Sequence, residues 1–130
     1  MRADIGMWLE DAHYDMDCAR DLLAARRYNY VVWLARQAVE KALKAACMQV
    51  TGRPVPMAQN LIALAATVSS DIPPSVARSL SFLNPHDTMT RYVDAAVGKP
   101  SEIFDRQFAE EALKRAHEAL EWIESSFLTT

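Results

Sequence analysis

The stretch Tyr28-Asn29-Tyr30-Val31-Val32-Trp33-Leu34-Ala35-Arg36-Gln37-Ala38-Val39-Glu40-Lys41-Ala42-Leu43-Lys44-Ala45-Ala46-Cys47-Met48-Gln49-Val50 decides the fold. Val31, Ala35, Ala38, Ala42 and Ala45 recur at alternating steps of four and three, which is helical spacing, and Val32, Leu34, Val39, Leu43 and Ala46 form a second apolar stripe. The polar residues Arg36, Gln37, Glu40, Lys41 and Lys44 are confined to one narrow strip. A helix apolar around most of its circumference is covered on several sides, and its alanines let neighbouring backbones come close. This segment therefore reads as the central helix of a bundle, with apolar surface to spare for a second copy of the chain.

Outward from that helix, the sequence supplies its neighbours. Ile5, Leu9, Ala12, Met16, Ala19 and Leu23 draw the seam of a helix over about 3–25, flanked by a second line of Trp8, Asp15 and Leu22, and Arg26-Arg27 places cations at its negative end. Gly52-Arg53-Pro54-Val55-Pro56 is a break. A short helix follows over about 59–68, and Asp71-Ile72-Pro73-Pro74 opens another that uses Val76, Leu80 and Leu83 and stops before Pro85. Residues 84–100 hold no sustained period. A loop of that length in a small domain is functional or disordered. Asp105 is an N-cap for a last helix running to Phe127, with Ala109, Ala112, Ala116, Leu120 and Ile123 on its core face. No segment alternates with period two. The expectation is an all-α, antiparallel up-and-down bundle of about five helices, one domain over residues 1–130.

Composition limits the chemistry. The 130 residues are 51% hydrophobic and 24% charged, with a formal net charge of −3, so phosphate binding would need a local cationic patch. Three isolated glycines, Gly6, Gly52 and Gly98, exclude a P-loop or dinucleotide fingerprint. Cys18 and Cys47 lack metal-site spacing and read as reduced thiols. With no leader-like start and no apolar run long enough to span a bilayer, the expected location is the cytoplasm. Glu10-x-x-His13 has di-iron spacing but no second copy, since Lys114 stands where the matching carboxylate would be, so no metal is expected.

Two features carry candidate function. The strip from Arg36 to Lys44 is either a solvent face laced by i,i+4 pairs, which the spacing favours, or a polar groove for an anion. Arg91-Tyr92 is either a loop anchor, with Arg91 paired to Asp94, or a guanidinium for a phosphate beside a phenol for a base. Tyr28, Tyr30, Trp8, Trp33 and Trp122 read as packing residues.

Several blocks, in order, resemble the HEPN domain (higher eukaryotes and prokaryotes nucleotide-binding). These are Trp8-Leu9-x-x-Ala12-x-x-Asp15; Tyr28-x-x-x-x-Trp33-x-Ala35-x-Gln37-Ala38-x-Glu40-Lys41-Ala42-Leu43-Lys44-Ala45; Leu83-Asn84-Pro85-His86-Asp87 through Arg91-Tyr92-Val93-Asp94; and the closing Glu110-Glu111-Ala112…Trp122. The resemblance implies a helical bundle, commonly a homodimer, often paired with a minimal nucleotidyltransferase in toxin–antitoxin-like systems. It also implies a nucleotide- or RNA-binding cleft with no cofactor. In that cleft Arg91 and Lys44 would neutralise phosphate, Gln37 and Glu40 would orient those cations, and Asp15 would brace the first helix. Tyr92 would offer a flat surface, and Arg36 and Lys41 would complete the strip. Many members are metal-independent RNases carrying an arginine four to six residues before a histidine. Here the nearest pair, Arg78 and His86, has seven residues between them, so the motif is absent as written. The ribonuclease alternative would rest on His86 as general acid or base with Arg78 or Arg91 stabilising the phosphorane.

Overall fold

A computed structural model describes residues 1–129. Five helices of eight residues or more build the bundle: α1 (Ala3–Ala24), α2 (Tyr28–Thr51), α3 (Leu61–Val68), α4 (Pro74–Leu83) and α7 (Arg106–Phe127). Two single-turn helices, α5 (Val93–Ala96) and α6 (Pro100–Ile103), interrupt the segment read as a loop, and no strand occurs among the described residues. Residues 84–91 are turns, not free coil. Aperiodic sequence hid them because each piece is too short to show a helical repeat.

The helix ends have local causes. Asn60 caps α3 by accepting a hydrogen bond from Ala63 N at 3.0 Å, and Asp105 caps α7 by accepting one from Phe108 N at 2.8 Å. Pro74 occupies the first turn of α4. Gly52 ends α2 in the left-handed conformation (φ 69°), donating its N–H to Met48 O at 2.9 Å. The α1–α2 corner closes through Arg26 (φ 64°), with Arg27 N donating to Leu22 O at 2.9 Å.

Helix α2 is the hub, packed against α1, α3, α4, α6 and α7. Val31, Val32, Ala35, Ala38, Val39, Ala42, Leu43, Ala45 and Ala46 are completely buried. Most of the apolar surface of α2 is thus covered within one chain, with Leu34 left partly exposed and Val50 exposed. On α1, Ile5, Ala12, Met16 and Ala19 are buried while Leu9, Leu22 and Leu23 stay partly exposed at its margin. Cys47 is buried and Cys18 half-buried, both as free thiols; burial raises the Cys47 thiol pKa against the opposing charge of Lys44. No helix is long and apolar enough to cross a membrane, and no cluster of metal-ligating side chains occurs among the described residues.

Candidate functional site

The polar strip of α2 is not a solvent face. The Arg36 side chain is 3% exposed. Its Nη1 donates to Glu40 Oε1 at 2.6 Å, its Nε to Asn84 O at 3.0 Å and its Nη2 to Gln59 O at 2.8 Å. The other Glu40 oxygen lies 3.2 Å from Lys44 Nζ, and that ammonium sits 5.8 Å from the centre of the Trp8 ring. Arg36, Glu40 and Lys44 therefore form a buried ladder of alternating charge. Asn84 extends it, since its Oδ1 accepts from Leu61 N at 2.8 Å, at the start of α3. Arg36 and Asn84 together fasten the end of α4 and the start of α3 to the central helix.

Lys41 faces the other way, toward α1. Its Nζ is 2.5 Å from Asp11 Oδ2 and 2.8 Å from Asp15 Oδ2. Partial burial works against the ammonium, but hydrogen bonds to Asp11 and Asp15 outweigh it and hold the Lys41 pKa above its ordinary value. Asp15 thus braces α1 against α2. Gln37 is half-buried and weakly engaged, accepting from Arg36 Nη1 at 3.5 Å.

The turn after α4 brings Arg91 to the same side of α2. Asn29 Nδ2 donates to Thr90 O at 3.0 Å, and Thr90 Oγ1 donates to His86 O at 3.2 Å. So anchored, Arg91 lays its guanidinium carbon 4.6 Å from the Trp33 ring centre and 5.1 Å from that of Tyr92. Its pairing is local: Nε donates to Asp87 O at 2.9 Å and Nη2 approaches Asp87 Oδ1 at 3.3 Å. Asp87, not Asp94, is its carboxylate partner. On an ideal helix Trp33 lies one turn from Gln37 on the same strip, so Arg91 and the ladder share one face of α2. Tyr30 (44% exposed) and Tyr92 (51% exposed) flank the stack, and Tyr30 meets Trp33 edge to face at 6.4 Å.

The family model for the HEPN domain matches residues 5–126. This chain belongs to the HEPN domain family. Among solved structures, TT1696 from Thermus thermophilus is 28% identical, with a TM-score of 0.86 over 95% of this chain and 98% of that one. ST0689, described as an archaeal HEPN homologue, superposes with a TM-score of 0.79 at 24% identity, covering 98% of this chain and 99% of that one, a likeness of fold. No curated protein matches the sequence significantly.

In this HEPN domain no hydrogen bond among the described residues joins His86 to Arg78 or Arg91, the residues of the ribonuclease alternative. His86 is buried in an aromatic cage, 5.5 Å from the Phe104 ring, 5.3 Å from Phe108 and 6.1 Å from Phe82, and its Nδ1 has no hydrogen-bond partner. Burial, then the nearby Arg36 charge, lower the His86 pKa, so the ring is held neutral. Arg78 is exposed on α4 and lines a groove against α7. The residues that sequence reasoning passed over are Asn29, Trp33, Asn84 and Asp87, which build the platform. A signal existed for two of them: Asn29 and Trp33 continue the strip of Arg36, Glu40 and Lys44 at steps of four, three, four and four. Asn84 and Asp87 act through backbone turns that carry no period.

Proposed function

We propose that this HEPN domain is a binding module that takes a nucleotide on the shelf formed by Trp33, Arg91 and Tyr92, with Tyr30 and Gln37 at its margins. One observation carries the reading. Arg91 is a partly exposed cation in contact with two aromatic rings, with a single carboxylate contact at 3.3 Å. A guanidinium in that setting can trade Asp87 for a phosphate oxygen while the exposed Tyr92 ring receives a base. Arg36, Glu40 and Lys44 serve this site from beneath, because their hydrogen bonds and ion pairs to one another hold the α2 face rigid. They are positioning residues, and Lys44 is not a free phosphate ligand. Asp15 and Lys41 brace the α1–α2 packing.

The shelf continues into exposed Val93, Val97 and Ile103. We assign this apolar extension to a protein partner, whether a second copy or the minimal nucleotidyltransferase that the family resemblance implies. Catalysis draws no support from the geometry, because His86 is buried among Phe82, Phe104 and Phe108 and makes no hydrogen bond to Arg78 or Arg91.

Calorimetric titration with a panel of mononucleotides tests the reading. Arg91→Ala should weaken binding by about 1.5–3 kcal/mol, the range for a hydrogen bond to a charged group. An affinity equal to the parent's in a folded variant would remove the shelf. Failure of every nucleotide to raise the melting temperature, with a protein partner stably co-purifying, would favour a purely structural interaction module.

A further inference from the structure

The seam between α4 and α7, which shares no residue with the α2 face, holds a solvent-open pocket of about 200 Å³ lined by Ser75, Arg78, Glu111, Lys114, Arg115 and Glu118. Its origin lies in the packing pattern. The two helices bury Val76, Ser79, Leu80 and Leu83 on one side and the small residues Ala109, Ala112 and Ala116 on the other, so their backbones approach closely. The long side chains at 78, 114, 115 and 118 are left standing around the rim.

The charges there are not equally committed. Arg115 is occupied: its Nε donates to Glu111 Oε1 at 2.7 Å and its guanidinium carbon lies 5.1 Å from the Phe82 ring centre. Arg78 and Lys114 have no carboxylate within ion-pair distance among the described residues, although both line the pocket with Glu118. Ser75, in the first turn of α4, adds a hydroxyl at the positive end of the helix dipole. In a chain of net charge −3, two cations without carboxylate partners lining one hollow stand apart from the general surface.

We propose that Arg78 and Lys114 hold a single phosphate group in this pocket, free or at the end of a small molecule, with Ser75 as a further donor. Size selects the ligand class. Pockets that engulf drug-sized ligands span roughly 300–1,000 Å³, so this smaller hollow of about 200 Å³ would seat a phosphate group and leave whatever carries it outside. Donor number agrees, since an arginine fork, an ammonium and a hydroxyl can engage the several oxygens of a phosphate, whereas a carboxylate offers only two. Glu118 opposes the ligand, leaving the site one net positive charge.

Inorganic phosphate is the probe, titrated at fixed ionic strength while backbone amide shifts of residues 75–78 and 111–118 are followed by NMR, with acetate in a parallel series. Phosphate should give a saturable response that acetate does not. Arg78→Ala and Lys114→Ala should each weaken it by about tenfold or more. Glu118→Gln, by removing the opposing charge, should tighten it several-fold, a change of sign that mere loss of structure would not produce. Arg91→Ala should leave it unchanged, which separates this site from the α2 shelf. A linear, unsaturable response overturns the proposal, as does an equal response to acetate or a Glu118→Gln variant that binds no better than the parent.

Discussion

Arg36 and Arg91 serve the same face of one helix, yet they live under opposite conditions. Arg36 is 3% exposed and donates to a carboxylate and two backbone carbonyls; Arg91 is 26% exposed and rests on aromatic rings with one long carboxylate contact. For Arg36 each of the three guanidinium nitrogens is answered by a fixed acceptor, and the residue is structural. For Arg91 the strongest bond is to a carbonyl of its own turn, and much of the guanidinium stays available. Formal charge and helical position do not separate the two. What separates them is whether the chain brings acceptors to the cation.

The largest expected effect tests the buried member. Arg36→Ala takes the closer of Glu40's two cation partners and leaves the Asn84 and Gln59 carbonyls without their donor, and breaking a buried pair in this way costs about 3–5 kcal/mol. The fall should appear as a lower denaturant midpoint with an unchanged slope. Replacing the whole ladder, Arg36→Met with Glu40→Leu and Lys44→Met, should cost less than the single change, because no uncompensated buried charge is left behind. A single Arg36→Ala variant as stable as the parent would erase the contrast between the two arginines.

The exposed member should show the reverse pattern. Arg91→Ala removes a partly solvated ion pair and contacts with two aromatic rings, each worth about 1 kcal/mol or less. Its unfolding free energy should therefore fall by about 1–2 kcal/mol, short of the loss in Arg36→Ala, while nucleotide affinity falls by about 1.5–3 kcal/mol. A stability loss matching that of Arg36→Ala would show that the turn is a structural fastener and that its exposure is incidental.

Much of this architecture is legible in the sequence, and for a physical reason. Helices long enough to repeat their apolar pattern, such as 3–24, 28–51 and 106–127, declare themselves by period, and Asp105 and Gly52 mark ends by local backbone chemistry. The ladder of Arg36, Glu40 and Lys44 has the same i,i+4 spacing as any solvent-exposed pair series, so spacing alone favours the surface. Its burial is decided by Asn84 and Gln59, residues 48 and 23 positions away that deliver carbonyls from other turns. The turns at 84–91 and the one-turn helices beyond them were illegible for the same cause, since hydrogen bonds closing over three or four residues leave no repeat.

His86 sharpens the comparison further, since it sits within reach of the Arg36 field but pairs with nothing through Nδ1. Its pKa is lowered in the folded state, so below about pH 6.5, the ordinary histidine value, the unfolded chain binds a proton that the folded chain refuses. Stability from this residue is intact above that pH and is lost as pH falls through it, by at most about 1.4 kcal/mol per pH unit. His86→Phe keeps an aromatic ring in the cage of Phe82, Phe104 and Phe108 and cannot charge. Denaturant unfolding of parent and variant between pH 7 and 5 should show the parent losing more, and parallel profiles would contradict the cage as described.

The smallest effect lies on the α1 side of the strip. Asp11 is 58% exposed where it meets Lys41, whereas Asp15 is only 11% exposed. Asp11→Asn deletes a mostly solvated charge while Lys41 keeps Asp15, so the cost should be about 0.2–1 kcal/mol and should shrink at high salt. Asp15→Asn acts on the buried half of the same clamp, where water screens less, and should cost more and respond less to salt. The two aspartates thus repeat within one lysine's reach the contrast drawn between Arg36 and Arg91. If both substitutions cost the same and share one salt dependence, enclosure by the fold is not what sets the worth of these charges.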